Sequence, residues 1–182
     1  MTTISCPIPA DINPLSPNGF RFAIDKLPEV SFFCQSVNLP GVILGAPDFG
    51  NPLNVTPVPG ESLTYDTLAV QFLIGEDMSN YKAIYNWIVG LAFPQEHEQY
   101  QRLVAAGTAP GSFIGNGSEL RQMTSDGTLE ILNSNNKPSV TVAIYDMFPT
   151  SLDSLTFESR NSDVTYLIGN MSLRYSYYKF LD

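Results

Sequence analysis

The segment "MSLRYSYY", residues 171–178, sets Met171, Leu173, Tyr175 and Tyr177 on one parity and Ser172, Arg174, Ser176 and Tyr178 on the other. A period of two is that of a strand with one buried face, whereas a helix groups residues three and four apart. The same alternation recurs in "GFRFAID" (19–25), where Phe20, Phe22 and Ile24 oppose Arg21, Ala23 and Asp25. In "SLTYDTLAVQFLIG" (62–75) one face runs Thr64, Asp66, Leu68, Val70, Phe72, Ile74 and becomes apolar along its length. "TLEILNSNNKPSVTVAIYDMFP" reads as a hairpin, with a turn over residues 133–137 and Val140, Val142 and Ile144 alternating with Thr141, Ala143 and Tyr145. "EVSFFCQSVNLPG" (29–41) is apolar on both faces for part of its length and predicts a strand covered on both sides, stopped by Leu39-Pro40-Gly41. Residues 41–62 hold four prolines and four glycines among Val, Ile and Leu, and predict an extended hairpin or loop excursion.

One helix interrupts the strands. Ser79 or Asn80 can cap it, and Tyr81, Ile84, Tyr85 and Ile88 form its apolar stripe, with Trp87 at the flank. Phe93-Pro94 ends it, and residues 95–106 suggest a second short helix. Residues 1–18 carry four prolines and no basic residue, which predicts an extended arm ahead of a single domain over 19–182. The Gly/Ser-rich stretch 107–127 predicts a loop. The expectation is therefore a mainly β chain, an antiparallel barrel or sandwich with one flanking α-helix. Phe148-Pro149 sits between two strands, where a proline corner lets the chain pass from one sheet to the other with the Phe buried beneath it.

Charge narrows the function. Nine basic against eighteen acidic residues leave a formal charge of −9, which disfavours affinity for nucleic acid or anionic membrane. Charged residues are only 15% of the chain, below the roughly 25% of a typical soluble domain. A surface so poor in charge suits a protein packed against its own copies; the plainer reading is a Ser/Thr/Asn-rich monomer. Cys6 and Cys34 are too few for a disulfide framework and read as reduced thiols. There is no basic n-region followed by an apolar run, and no run long enough to span a bilayer, so a soluble chain made in the cytoplasm is expected, with no membrane insertion.

No constellation points to catalysis. His97, the sole histidine, lies among Gln95, Glu96, Glu98 and Gln99 and reads as a solvated residue; no nucleophile-elbow motif exists to pair with it. A three-histidine metal site and a cysteine cluster are ruled out by count, and no metal or cofactor is expected. Glu76-Asp77 precedes a helix and reads as dipole-stabilising, not as an acid–base pair. The glycines at 107, 111, 115 and 117 lack the Lys-Ser or Lys-Thr of a phosphate loop. The expectation is a non-enzyme.

The order of these segments is more specific than any one of them. A strand ending in "LPG" and a Pro/Gly excursion are followed by "LTYDTLAVQFLIGEDMSNYKAIYNWIVGL", a hairpin, "YDMFPTSLDSLTF" and the closing "LRYSYY". This order resembles the tail tube proteins of contractile-tailed bacteriophages, including tube-initiator, terminator and baseplate relatives, over about residues 18–180. The resemblance implies a small antiparallel β-barrel or sandwich, assembled as stacked homohexameric rings of a virion tail, whose inner strands join into a conduit for DNA ejection. It implies partners in the chain itself, in tail sheath and in baseplate proteins, with DNA passing unbound and assembly in the host cytoplasm. On this resemblance the candidate lumen face is Thr64, Asp66, Ser172, Arg174 and Ser176. The candidate inter-subunit residues are Pro7, Pro9, Pro14, Pro47, Pro52 and Pro57. A specialised tube-end or baseplate ring, a type VI or tailocin tube subunit, and a monomeric β-sandwich binding module stand as alternatives.

Overall fold

A computed structural model describes residues 15–51, 54–92, 98, 123–158 and 166–181 of the 182-residue chain. Residues 95–97, 99–106 and 107–122, with Cys6, His97 and the four loop glycines, lie outside the described residues.

In chain order the elements are β1 (Phe20–Ile24), α1 (Pro28–Phe32), β2 (Cys34–Val37), β3 (Val42–Leu44), β4 (Asp48–Asn51) and β5 (Asn54–Pro57). There follow β6 (Leu63–Tyr65), β7 (Leu68–Leu73), α2 (Ser79–Ala92), β8 (Ser125–Leu132), β9 (Pro138–Leu152), β10 (Ile168–Arg174) and β11 (Tyr177–Leu181). Seven strands form one folded antiparallel sheet in the order β1-β8-β9-β10-β7-β2, with β11 also paired to β9. The long strand β9 belongs to two half-sheets. Its first part pairs with β8 and β11, and its end, from Phe148, pairs with β10.

The crossing between half-sheets is made by a bulge and not by a proline turn. Between Gly127↔Ile144 and Ser125↔Met147 the register gains one residue on β9, where Asp146 has φ 56°. Asp146 N–H donates to Asp126 Oδ1 at 3.0 Å. The extra residue switches which parity faces inward: Val142 and Ile144 are buried before it, Met147 and Pro149 after it. The expected corner is thus overturned in two respects. β9 continues as a strand through Phe148-Pro149, and Phe148 is 37% exposed while Pro149 is the buried member. Proline is tolerated there because this end of β9 has β10 on one side only.

The closing strand switches parity at the same level. It breaks at residues 175–176 into β10 and β11, with Arg174 opposite Phe148 and Tyr177 opposite Tyr145. Met171 and Leu173 are buried as expected, but beyond the break Tyr178, opposite Ile144, takes the inward side in place of Tyr177. Gly127 lies beside the bulge; a Cβ there would meet the Met147 side chain and, at 2.8 Å, the Ala23 carbonyl oxygen.

Three further expectations change. Residues 28–32 are a helical turn where a strand was expected: Pro28 takes the first helical turn, and Val30 turns into the core. Ser31 Oγ then accepts the Ile24 N–H at 3.1 Å, tying α1 to β1. The long strand over 62–75 divides at Asp66-Thr67 into β6 and β7, which belong to different sheets. Residues 125–127, expected in a loop, open β8.

The core unites both half-sheets and α2. Phe22, Ile24, Leu68, Val70, Phe72, Leu129, Val142, Ile144, Met147, Met171 and Leu173 form one buried cluster with Ile84 and Trp87. The helix spans Ser79–Ala92, as the periodicity predicts, but its buried line is Asn80, Ile84, Trp87 and Gly90. Tyr81 and Ile88 flank that line, and Tyr85 is 55% exposed, so the stripe is rotated towards Trp87. Two tertiary contacts set this rotation. Asn80 Nδ2 donates to the Leu73 carbonyl at 2.7 Å, and Trp87 Nε1 donates to the Met123 carbonyl at 2.9 Å.

Candidate functional site

Nothing among the described residues groups three or more metal-ligating side chains. Asp77 does what its place before the helix suggests. Its carboxylate accepts the Ser79 N–H at 3.2 Å, and that bond is the main reason its pKa lies below the usual carboxylate range. Cys34 is half-buried, and desolvation pushes its thiol up to about 11, which makes it a poor nucleophile near neutral pH. No helix among the described residues is long and apolar enough to cross a membrane. The described residues also present extended sheet faces and strand edges.

The first surface is the outward side of the half-sheet β9-β10-β7-β2. Antiparallel partners share a face, so the register builds its rows directly. One row is Ser36, Gln71 and Asn170; the next is Ala69, Ser172 and Ser151; a third pairs Arg174 with Phe148. The first two rows are small or amide side chains without charge, and Arg174 is the single charged residue of the three. Of the five candidate lumen residues, Ser172 and Arg174 stand together on this face. Ser176 is exposed at the strand break, and Thr64 is exposed on β6, in a separate two-stranded sheet. Asp66 is exposed just beyond β6, its N–H donating to the Gly41 carbonyl at 3.0 Å. The five do not form one surface. Gln71 and Ser151 were missed, although Ala69 and Gln71 alternate with Leu68, Val70 and Phe72 and could have been read from that pattern.

The second surface is a ribbon. Residues 41–51 and 54–66 form an antiparallel arm, which takes in the extended hairpin expected over 41–62 and the start of the strand expected over 62–75: β3 pairs with β6 and β4 with β5. Bonds from Gly45 N to Ser62 O, Gly60 N to Gly45 O and Val58 N to Pro47 O join the two ladders. β3 and β5 are exposed throughout, and Phe49 at the tip is 72% exposed. Pro47 and Pro57 lie exposed on this arm; Pro7, Pro9, Pro14 and Pro52 fall outside the described residues. At its root Tyr65 packs on Tyr175 and Tyr178, with centroids 5.7 and 5.6 Å apart, and Tyr178 Oη donates to the Pro40 carbonyl at 3.4 Å.

The third feature is the set of edges left unpaired among the described residues. β2 and the last part of β9 bound the second half-sheet, while β1 and β11 bound the first. Following the pairings around β9, its free edge lies on the β8–β1 side, and β2 lies with β11 on the other.

A family model described as phage tail tube protein matches residues 6–181. Among solved structures, the fold is similar to a chain of the PVC sheath-tube complex of an extracellular contractile injection system in its extended state. That match has a TM-score of 0.58 and 14% identity, and covers 92% of this chain and 91% of the other. It is similar to a chain of the anti-feeding prophage tube-terminating cap, with a TM-score of 0.59, 13% identity and 99% of both chains covered. It is also similar to a chain of the anti-feeding prophage baseplate, with a TM-score of 0.55, 12% identity and coverage of 93% and 96%. No curated protein sequence matches significantly.

Proposed function

The chain belongs to the phage tail tube protein family, and from that membership we propose that it is the repeating subunit of a contractile tail tube. In this reading six copies close into a ring, rings stack, and the outward face of β9-β10-β7-β2 lines a channel through which DNA leaves. The protein is structural and not catalytic, a part of the virion whose other contacts are sheath and baseplate proteins.

The observation that carries this reading is the match between two free edges. In the second half-sheet each neighbour is antiparallel, so β2 and the end of β9 run in opposite directions. Rotation about an axis along the strands preserves direction. The β9 edge of one copy therefore meets the β2 edge of the next in antiparallel pairing, and the pattern repeats until the ring closes. Closure removes both edges, which in a monomer would invite uncontrolled pairing. Of the rows it would turn inward, Ser36-Gln71-Asn170 and Ala69-Ser172-Ser151 carry no charge, which leaves Arg174 as the one cation of the three rows that could hold phosphate.

Negative-stain microscopy and mass measurement of the purified protein test this. Stacked tubes are expected, with each subunit contact above the roughly 1,000 Å² of a specific interface. A monomer at high concentration would overturn the ring. Single rings that never stack would favour a tube-end ring, the reading supported by similarity to the tube-terminating cap over the full length of both chains.

A further inference from the structure

An apolar strip runs from the sheet onto the arm, left open to solvent by the described residues. Phe180 meets Tyr178 with centroids 5.8 Å apart, and Tyr178 meets Tyr65 at 5.6 Å. Tyr65 pairs with Val42, and Leu63, on the same face as Tyr65, pairs with Leu44. Phe180, Leu63, Leu44 and Val42 are 55%, 51%, 51% and 45% exposed. The six side chains carry no charge, and tyrosine-lined apolar surfaces suit extended proline-rich chain, whose backbone is already restricted.

The chain itself contains such a segment. Residues 1–14, "MTTISCPIPADINP", hold three prolines, three isoleucines, one acid and no Lys or Arg, and lie outside the described residues. They enter the fold at β1. Phe20 pairs with Ile131, which pairs with Val140; Phe180 pairs with Val142. The segment therefore leaves its own sheet at the same level as Phe180, but at the opposite edge. In the ring described above, joining the β9 edge to the next copy's β2 edge also brings β1 of one copy towards β11 of the next, because β1 shares a side with that β9 edge and β11 shares one with β2. Fourteen residues of extended chain reach about 40 Å at about 3.1 Å each, ample to cross that junction.

We propose that residues 1–14 of each copy dock on the strip Phe180-Tyr178-Tyr65-Leu63-Leu44-Val42 of the neighbouring copy in the ring. The proposal rests on the ring reading and assigns a clasp to it, separate from the strand pairing that lines the channel.

The native Cys6 provides the test. With Cys34→Ala to remove the other thiol, Phe180→Cys and, separately, Leu63→Cys are oxidised in assembled rings. Both new positions are exposed, and a disulfide requires Cα atoms within about 7 Å. The expected result is a ladder of covalent dimers to hexamers on non-reducing gels with at least one variant. Rings that form normally but give only uncrosslinked or internally bridged chains in both variants would overturn the clasp while leaving the ring standing. A wild-type protein that forms no rings would overturn both.

Discussion

At Asp146 a φ of 56° is held by a residue with a Cβ, in a region that costs an L-residue about 1–2 kcal/mol. Asp tolerates it better than most, and its N–H has a fixed acceptor in Asp126. Asp146→Gly should therefore keep or raise stability in urea unfolding, whereas Asp146→Val should lower it by about 1–2 kcal/mol. Equal midpoints for the two variants would remove the bulge from the account of how the sheet folds over. Tyr175 raises a different question. Its hydroxyl is buried without a hydrogen-bond partner among the described residues, and desolvation, with Tyr178, Tyr65 and Asp66 adding to it, pushes the phenol up to about 12. The unfolded chain loses this proton near pH 10, before the folded one does, so this contribution to stability is full below pH 10 and falls as pH rises towards 12. Tyr175→Phe should flatten the alkaline fall in Tm without lowering Tm at pH 7, because a buried donor without an acceptor contributes little.

Helix α2 is the element whose face the sequence placed least well. The expected stripe was Tyr81, Ile84, Tyr85 and Ile88 with Trp87 at its flank; Ile84 is buried as expected, but Trp87 joins it in the core and Tyr85 is left exposed. Both lines fit a period of 3.6, and they differ by a rotation that apolar counting cannot resolve. Asn80 decides it by bonding the end of β7, which a hydropathy reading would place on the wet side. Ile84→Asp should abolish the folded state, since a charge would enter a fully buried site. Tyr85→Ala should change stability by no more than about 0.5 kcal/mol. Circular dichroism with urea titration separates the two. If Tyr85→Ala proves as damaging as Ile84→Asp, the rotated face is wrong.

For the whole molecule, assembly and folding should be separable. Among the described residues, the buried cluster draws on none of 41–62. Deleting residues 2–13 should leave a subunit with native Tm that assembles poorly, seen as loss of tubes by microscopy at unchanged near-UV spectra. Arg174 bears on the channel. It is exposed on the face assigned to the lumen and is the charged member of its three rows. Wild-type tubes should retain duplex DNA negligibly even at low salt, where attraction is strongest, and Ser172→Lys, on the same face, should introduce salt-sensitive retention. Unchanged DNA release from Ser172→Lys tubes would move the channel to another face.

Alternation along single segments determined where strands lie and which side chains enter the core: Phe22, Ile24, Leu68, Val70, Phe72, Met171 and Leu173 are all buried as their parity requires. That information is local, because a strand's two faces differ by one residue of offset whatever its neighbours are. The order of strands, hairpin and helix was legible too, and carried the family resemblance. Tertiary structure decided where the parity changes. The bulge at Asp146 and the break at residues 175–176 exchange the inward set on adjacent strands, so a rule that holds within each segment fails across the join. It also decided that Pro28 opens a helical turn, because Val30 finds a core to enter, and that Thr64 and Ser172 stand on different sheets. A face is the product of several strands brought into register, and the partners that set the register lie tens of residues away along the chain.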